Sequence, residues 1–268
     1  MITKRGGIMQ AIWGGRVAYA ESLASRGYSP LTIRQRLHFL DMLGDPATCT
    51  RSDVERLIST PTKASSRKVY LSVLRSIFTD LQGMGLVGHD PTIGVRLPRV
   101  QRTTPRPLTR HQVDTLLEHP RFRMRAWTML GCFAGLRASE VTQVQANHLV
   151  PTDAGFALVV PHGKGSKEAM VPAHQRIVDL LQGVKPFEGP LWDMRPQSLS
   201  SAWSTYAHDA GFPDLRFHQC RHYFGTSVLR STGNLLVTRD LLRHNSVATT
   251  EIYAKMMDDS GFQAVAGL

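Results

Sequence analysis

Residues 96–108, RLPRVQRTTPRPL, hold three prolines and four arginines and follow neither the helical nor the strand period. Each proline removes a backbone donor and disfavours helix in the residue before it. The stretch therefore cannot easily join a packed element on either side and reads as an extended basic linker. It divides the chain into a smaller part, residues 1–95, and a larger one, residues 109–268. A chain of 268 residues, 42% apolar and 20% charged, has enough material for one large core or two modest ones.

The smaller part reads as helical throughout. Apolar residues recur at helical spacing in MQAIWGGRVAYAESLASRG, and SPLTIRQRLHFLDML opens with Ser29 as N-cap and Pro30 at the first helical position. A third helix is predicted at SDVERLIS, where Ser52 and Glu55 have capping-box spacing. A fourth, SSRKVYLSVLRSIFTDLQGMG, ends in glycines. Arg34 and Arg36 are assigned to the polar face of the second helix, and Arg67, Lys68 and Arg75 lie on or beside that of the fourth. Such charges suit a solvated surface as well as a DNA-binding one.

The larger part is mixed. LTRHQVDTLLEHP, capped by Thr109, and RFRMRAWTMLGCFAGL read as successive helices, and RASEVTQVQ resumes after a break at Gly135. In FALVVPHGKGSKEAMVPA, two β-type runs flank a Gly-Lys-Gly-Ser-Lys turn, which predicts a hairpin with cations at its tip. The rest, including FHQCRHYFGTSVLRSTG and NLLVTRDLLRH, reads as helices punctuated by glycine and proline. The fold class expected is mainly α with a small β-hairpin or sheet.

A formal charge of +11 favours a polyanionic partner, nucleic acid above all. No apolar run reaches the roughly 20 residues needed to span a bilayer, and the first residues lack the apolar core of a secretory signal. A cytoplasmic protein with no membrane partner is expected. Cys49, Cys132 and Cys220 are too few and too scattered for a disulfide framework or a paired zinc site.

Four places in the larger part use residues that a core would not choose. Arg137 follows an apolar helix in GLRASEV, with Glu140 behind it; Lys164 sits in the hairpin turn of HGKGSKEAMVP; His218 and Arg221 are three apart in FHQCRHYFGT; His244 precedes Tyr253 in LLRHNSVATTEIYAK. Each alone is weak, since a His-x-x-Arg pair on a helix is often two neighbours on one polar face. As an ordered series behind a basic helical region, they resemble the tyrosine recombinase (phage integrase) family, and the resemblance covers nearly the whole chain.

The resemblance implies a helical core-type DNA-binding domain and a mixed α/β catalytic domain that together clamp a duplex. It implies a catalytic set of Arg137, Lys164, His218, Arg221, His244 and Tyr253, with Glu140 in support. In that family a tyrosine attacks a DNA phosphate and holds the strand end as a 3′-phosphotyrosyl diester. The chemistry suits the residue types: a phenol is a weak nucleophile at neutral pH, so its site must take up the proton and receive the negative charge of the transition state. Arg137 and Arg221 would grip nonbridging oxygens with planar, permanently charged forks. Lys164 would protonate the leaving 5′ oxygen, with Lys167 as the rival acid or a DNA contact. His218 would assist the tyrosine, and His244 would donate to the phosphate. Neither metal nor other cofactor is implied, because the arginines supply the positive charge.

Partners implied are double-stranded DNA with inverted core half-sites, a homotetramer on two duplexes, and an accessory bending or directionality protein. Phage or prophage integration and excision is the use expected, in the host cytoplasm or on the nucleoid. A type IB topoisomerase-like enzyme and a non-cleaving DNA-binding protein are the alternatives. Two positions depart from the family pattern: Arg243 stands where glycine is usual, and Cys220 where leucine is common. Arg243 is left open between a phosphate contact and a protomer contact. In the tail after Tyr253, Phe262, Val265 and Leu268 are either anchors for a neighbouring protomer or part of a frayed end.

Overall fold

The computed structural model describes residues 14–97, 106–160, 169–184, 189–244 and 250. The chain divides into two compact units, Met1–Arg102 and Thr103–Leu268.

The described part of the first unit contains four helices, α1 (Arg16–Ser25), α2 (Pro30–Leu43), α3 (Arg51–Ser59) and α4 (Ala64–Gly83). Tyr19, Leu23, Phe39, Leu40, Val54, Leu74, Ile77 and Phe78 form much of its core. Ser29 caps α2 as its sequence predicts, its hydroxyl accepting from the Thr32 N–H at 3.1 Å. The cap of α3 lies two residues earlier than Ser52. Thr50 is the extended residue before the helix, and its amide and hydroxyl both donate to Asp53 at 3.0 and 2.6 Å.

Arg36 also corrects its sequence assignment to a polar, DNA-facing surface. Helical spacing puts it on the same stripe as Ile33, Leu37 and Leu40, and it is only 7% exposed. A guanidinium on that face needs internal partners. It finds them in the Tyr19 hydroxyl at 3.0 Å, the Ser76 hydroxyl at 2.6 Å and the Asp80 carboxylate, which also accepts from Arg26. The network joins α1, α2 and α4. Burial pushes the Tyr19 phenol up to about 12, so it stays neutral there. Arg34, Lys68 and Arg75 are exposed and Arg67 is half-buried. Arg67 donates to the Pro61 carbonyl at 2.8 Å, and Arg75 to that of Val95 at 2.9 Å.

In the second unit, α5 (Arg110–Leu117) and α6 (Phe122–Phe133) lead into the short α7 (Ala138–Val141). Thr109 caps α5 in a reciprocal box with Gln112. After a single 3₁₀ turn (Ala146–His148) come three strands, β1 (Leu149–Thr152), β2 (Gly155–Val160) and β3 (Ala169–Pro172). They form an antiparallel sheet in the order β1-β2-β3, with Leu158 opposite both Leu149 and Val171. The expected hairpin is the β2–β3 pair. β1 is an addition that carries Pro151 and lies at the sheet edge, where a missing N–H is tolerated.

Helices α8 (Gln175–Gln182), α9 (Pro196–Asp209), α10 (His218–Thr232) and α11 (Leu235–Leu242) complete the described unit. Trp127, Leu130, Leu158, Leu199, Trp203 and Phe217 lie at the centre of its core. Inside it, the Trp203 indole donates to Thr128 at 3.1 Å, tying α9 to α6. Helices α6 and α10 approach closely at Gly131, where a Cβ would lie 2.6 Å from that of Cys220. This contact sets the face of α10 that carries Arg221 against the end of α6.

Candidate active site

The site forms where α6 ends, α7 begins, and α10 and α11 pass. Gly135 makes it possible. Its φ of +61° is a left-handed conformation that turns the chain sharply after α6, and a Cβ there would lie 2.5 Å from the Phe224 ring. Leu136 then enters the core, and Arg137 becomes the residue that caps α7. The sequence GLRASEV thus encodes a turn, an anchor and a projecting cation.

Glu140, buried on the first turn of α7, is the hub. Its carboxylate accepts from the Arg137 backbone N–H at 2.7 Å, from Arg137 Nη1 at 2.7 Å and from Arg243 Nη2 at 2.9 Å. Arg221 Nη1 lies 3.8 Å from it. Burial pushes this carboxyl up. Arg243, the Arg137 amide, Arg221 and Arg137 outweigh that effect and hold it below the ordinary carboxylate value.

The two arginines named from the sequence differ in access. The Arg137 side chain is 38% exposed, whereas Arg221 is 1% exposed. Arg221 donates to the Gly135 carbonyl at 2.5 Å and to that of Leu242. These bonds pin it between α6 and α11 and fix the fork at the Glu140 cluster.

Three imidazoles surround the arginines. His218 opens α10 and meets His222 edge to face at 4.6 Å. It reaches the surface, yet crowding by the protein and the charges of Arg221 and Arg137 lower its pKa. His222 is pushed down to about 4 by burial, His218 and Arg221. His244 falls to about 4 through burial and the charges of Arg221, Arg137 and Arg243. Its Nδ1 lies 2.9 Å from the buried Thr250 hydroxyl, which fixes the ring. All three rings are neutral at pH 7, so each can accept a proton or donate from its own N–H.

Arg137, Glu140, His218, Arg221 and His244 are therefore brought together. Lys164, Lys167 and Tyr253 lie outside the described residues, as do Phe262, Val265 and Leu268. Arg243, left open between a phosphate contact and a protomer contact, has a side chain 4% exposed that engages Glu140 and the Gly135 carbonyl inside the protein. Its place beside His244, where glycine was expected, was the available sequence signal. The Gly135 carbonyl, a second acceptor for the cluster, gave none.

Residues 192–259 match the phage integrase family. The chain is 30% identical over 220 residues to the tyrosine recombinase XerC of Roseiflexus sp. (strain RS-1), covering 73% of this chain and 69% of that one. The chain belongs to the tyrosine recombinase family. It is thus a DNA strand-transferring enzyme, and the Glu140 cluster lies in the unit that contains the matched region. Among solved structures, the integrase of mycobacterium phage Brujita is 25% identical, with a TM-score of 0.50 and coverage of 92% and 89% of the two chains. A lambda integrase dimer bound to a COC′ core site shares the fold of this tyrosine recombinase with a TM-score of 0.70 at 17% identity. That match covers 88% of this chain and 93% of the other. Among the described residues, no helix is long and apolar enough to cross a membrane.

Proposed function

We propose that this recombinase cuts and rejoins double-stranded DNA at a specific core site through a 3′-phosphotyrosyl link, and that it serves phage or prophage integration and excision. The observation that supports the chemistry is the convergence of Arg137 and Arg221 on the single carboxylate of Glu140, with His218 and His244 neutral beside them. A rigid pair of guanidiniums with excess positive charge suits a phosphoryl transition state that gathers negative charge. The phage role draws support from the likeness to the Brujita integrase, and a duplex core site from the DNA-bound lambda dimer.

In this reading the Tyr253 oxygen attacks the scissile phosphorus and the bond to the 5′ oxygen breaks. His218 accepts the phenol proton, Lys164 supplies one to the departing 5′ oxygen, and the phosphate remains a diester on Tyr253. Arg137, Arg221 and His244 hold its nonbridging oxygens throughout. Attack by another strand's 5′ hydroxyl reverses the step and releases the tyrosine. Because one diester replaces another, no ATP is consumed, and four protomers on two duplexes complete the exchange.

The test is a covalent trap. Purified protein is mixed with fragmented host and phage DNA and denatured, and the attached strands are sequenced while the attachment residue is mapped by mass spectrometry. DNA joined to Tyr253 through a 3′ phosphate, and no adduct from Tyr253→Phe, is the expected outcome. Attachment-site sequences among the strands would support integration, and a chromosomal resolution site would replace that role. Tight binding without adducts, even on a pre-nicked duplex carrying the bound sequence, would overturn the cleavage chemistry.

A further inference from the structure

Arg243 is the only non-glycine residue among those described with a positive φ, at 54°. It ends α11 in the left-handed conformation that usually selects glycine, since a Cβ is disfavoured there. Its buried Nε also finds no hydrogen-bond partner among the described residues. A backbone outlier with an unsatisfied buried N–H is retained where its side chain does something that glycine cannot. That side chain does three things: Nη2 donates to Glu140 at 2.9 Å and to the Gly135 carbonyl at 3.1 Å, while Nη1 donates to the Leu241 carbonyl at 2.8 Å.

The charge balance gives these contacts a purpose. Glu140 faces Arg137, Arg221 and Arg243, so the cluster holds two positive charges in excess. With glycine at position 243, the same carboxylate would be set against Arg137 and Arg221 alone and would leave one. Arg243 is itself nearly enclosed, so the charge it frees appears on Arg137, the more exposed of the other two.

We propose that Arg243 is a positioning residue for strand cleavage: it neutralises Glu140 and shares the Gly135 carbonyl with Arg221, leaving the charge of Arg137 and Arg221 for the scissile phosphate. This rests on the cleavage reading given above. It assigns Arg243 no contact with DNA, so duplex affinity is set elsewhere.

Arg243→Gly separates the two consequences of the residue, because it relieves the left-handed backbone while removing the charge. On a pre-nicked duplex carrying the trapped site, and at a temperature where both proteins are fully folded, the variant is expected to form adducts about tenfold or more slowly, with DNA affinity close to that of the parent protein. Arg243→Lys, which keeps the charge, recovers most of the rate. On a duplex with a neutral methylphosphonate at the cleavage position, the gap between parent and Arg243→Gly shrinks, since less positive charge is called for. A purely structural role predicts equal gaps on both duplexes, and that result, or parent-like cleavage by Arg243→Gly, overturns the proposal. If the parent forms no adduct on either duplex, the cleavage reading fails instead. Carbon NMR of the Glu140 carboxyl then decides the pairing in free protein: its titration midpoint rises in Arg243→Gly, and an unchanged midpoint overturns the pairing itself.

Discussion

Arg221 and Arg243 donate to one carbonyl oxygen, that of Gly135, at 2.5 and 3.1 Å. The shared acceptor and the Glu140 carboxylate together hold the two guanidiniums side by side against their mutual repulsion. Both helices that carry these arginines are thereby tied to the single turn that launches Arg137.

Removing the hub should cost more than removing a typical ion pair. In Glu140→Ala, Arg221 and Arg243 stay buried with their counter-charge gone, and a loss of about 3–5 kcal/mol in unfolding free energy is expected. Glu140→Gln, which keeps an acceptor for the Arg137 amide, should lose less. Urea denaturation of the two variants checks the order, and a loss for Glu140→Ala within error of zero would contradict the hub.

Gly135→Ala meets two obstacles, the positive φ and the Phe224 ring. A destabilisation of about 1–3 kcal/mol is expected. Adding Phe224→Ala removes the overlap but not the backbone strain, so a double-mutant cycle by thermal unfolding should show coupling without full recovery. Complete additivity would mean that the ring does not limit the turn.

Asp80 and Arg36 form an internal ion pair in the first unit, with side chains 11% and 9% exposed. Asp80→Ala should cost about 3–5 kcal/mol by leaving Arg36 buried and unneutralised. By contrast, Arg34→Ala and Lys68→Ala should leave the melting temperature within a degree or so and weaken duplex binding. Melting curves and fluorescence anisotropy on the same preparations separate the two classes.

Stability should fall as the medium is acidified from about pH 6.5 to about pH 4. The folded-state pKa values of His222 and His244 are depressed to about 4 from an ordinary 6.5. Within that window the unfolded chain binds protons that the folded one refuses, so stability rises with pH there and levels off above it. His222→Gln should flatten the slope of melting temperature against pH. An unchanged slope would show that His222 protonates freely in the folded protein.

Local chemistry was the most legible part of the sequence. Ser29 and Thr109 announce their helices because a cap depends on a hydroxyl and the few residues after it. Arg137, Glu140, His218, Arg221 and His244 were legible as an ordered series, although no periodicity shows that α7, α10 and α11 bring them together. Arg36 misled because helical spacing alone does not say when an arginine on the apolar stripe has a buried carboxylate waiting on another helix. β1 was hidden by Pro151, which argues against a strand until the sheet edge is known. Arg243 stood out only as an unusual residue, since its partners Glu140 and Gly135 lie far away in the chain.

The buried pair of Arg36 and Asp80 also bears on how ionic strength should act on duplex binding. A protein gains affinity at low salt in proportion to the phosphates it neutralises, because each releases condensed cations into solution. An arginine already neutralised inside its own fold releases none. The slope of log affinity against log salt should therefore register Arg34 and Lys68, remain blind to Arg36, and fall well short of what the chain's 32 lysines and arginines would suggest.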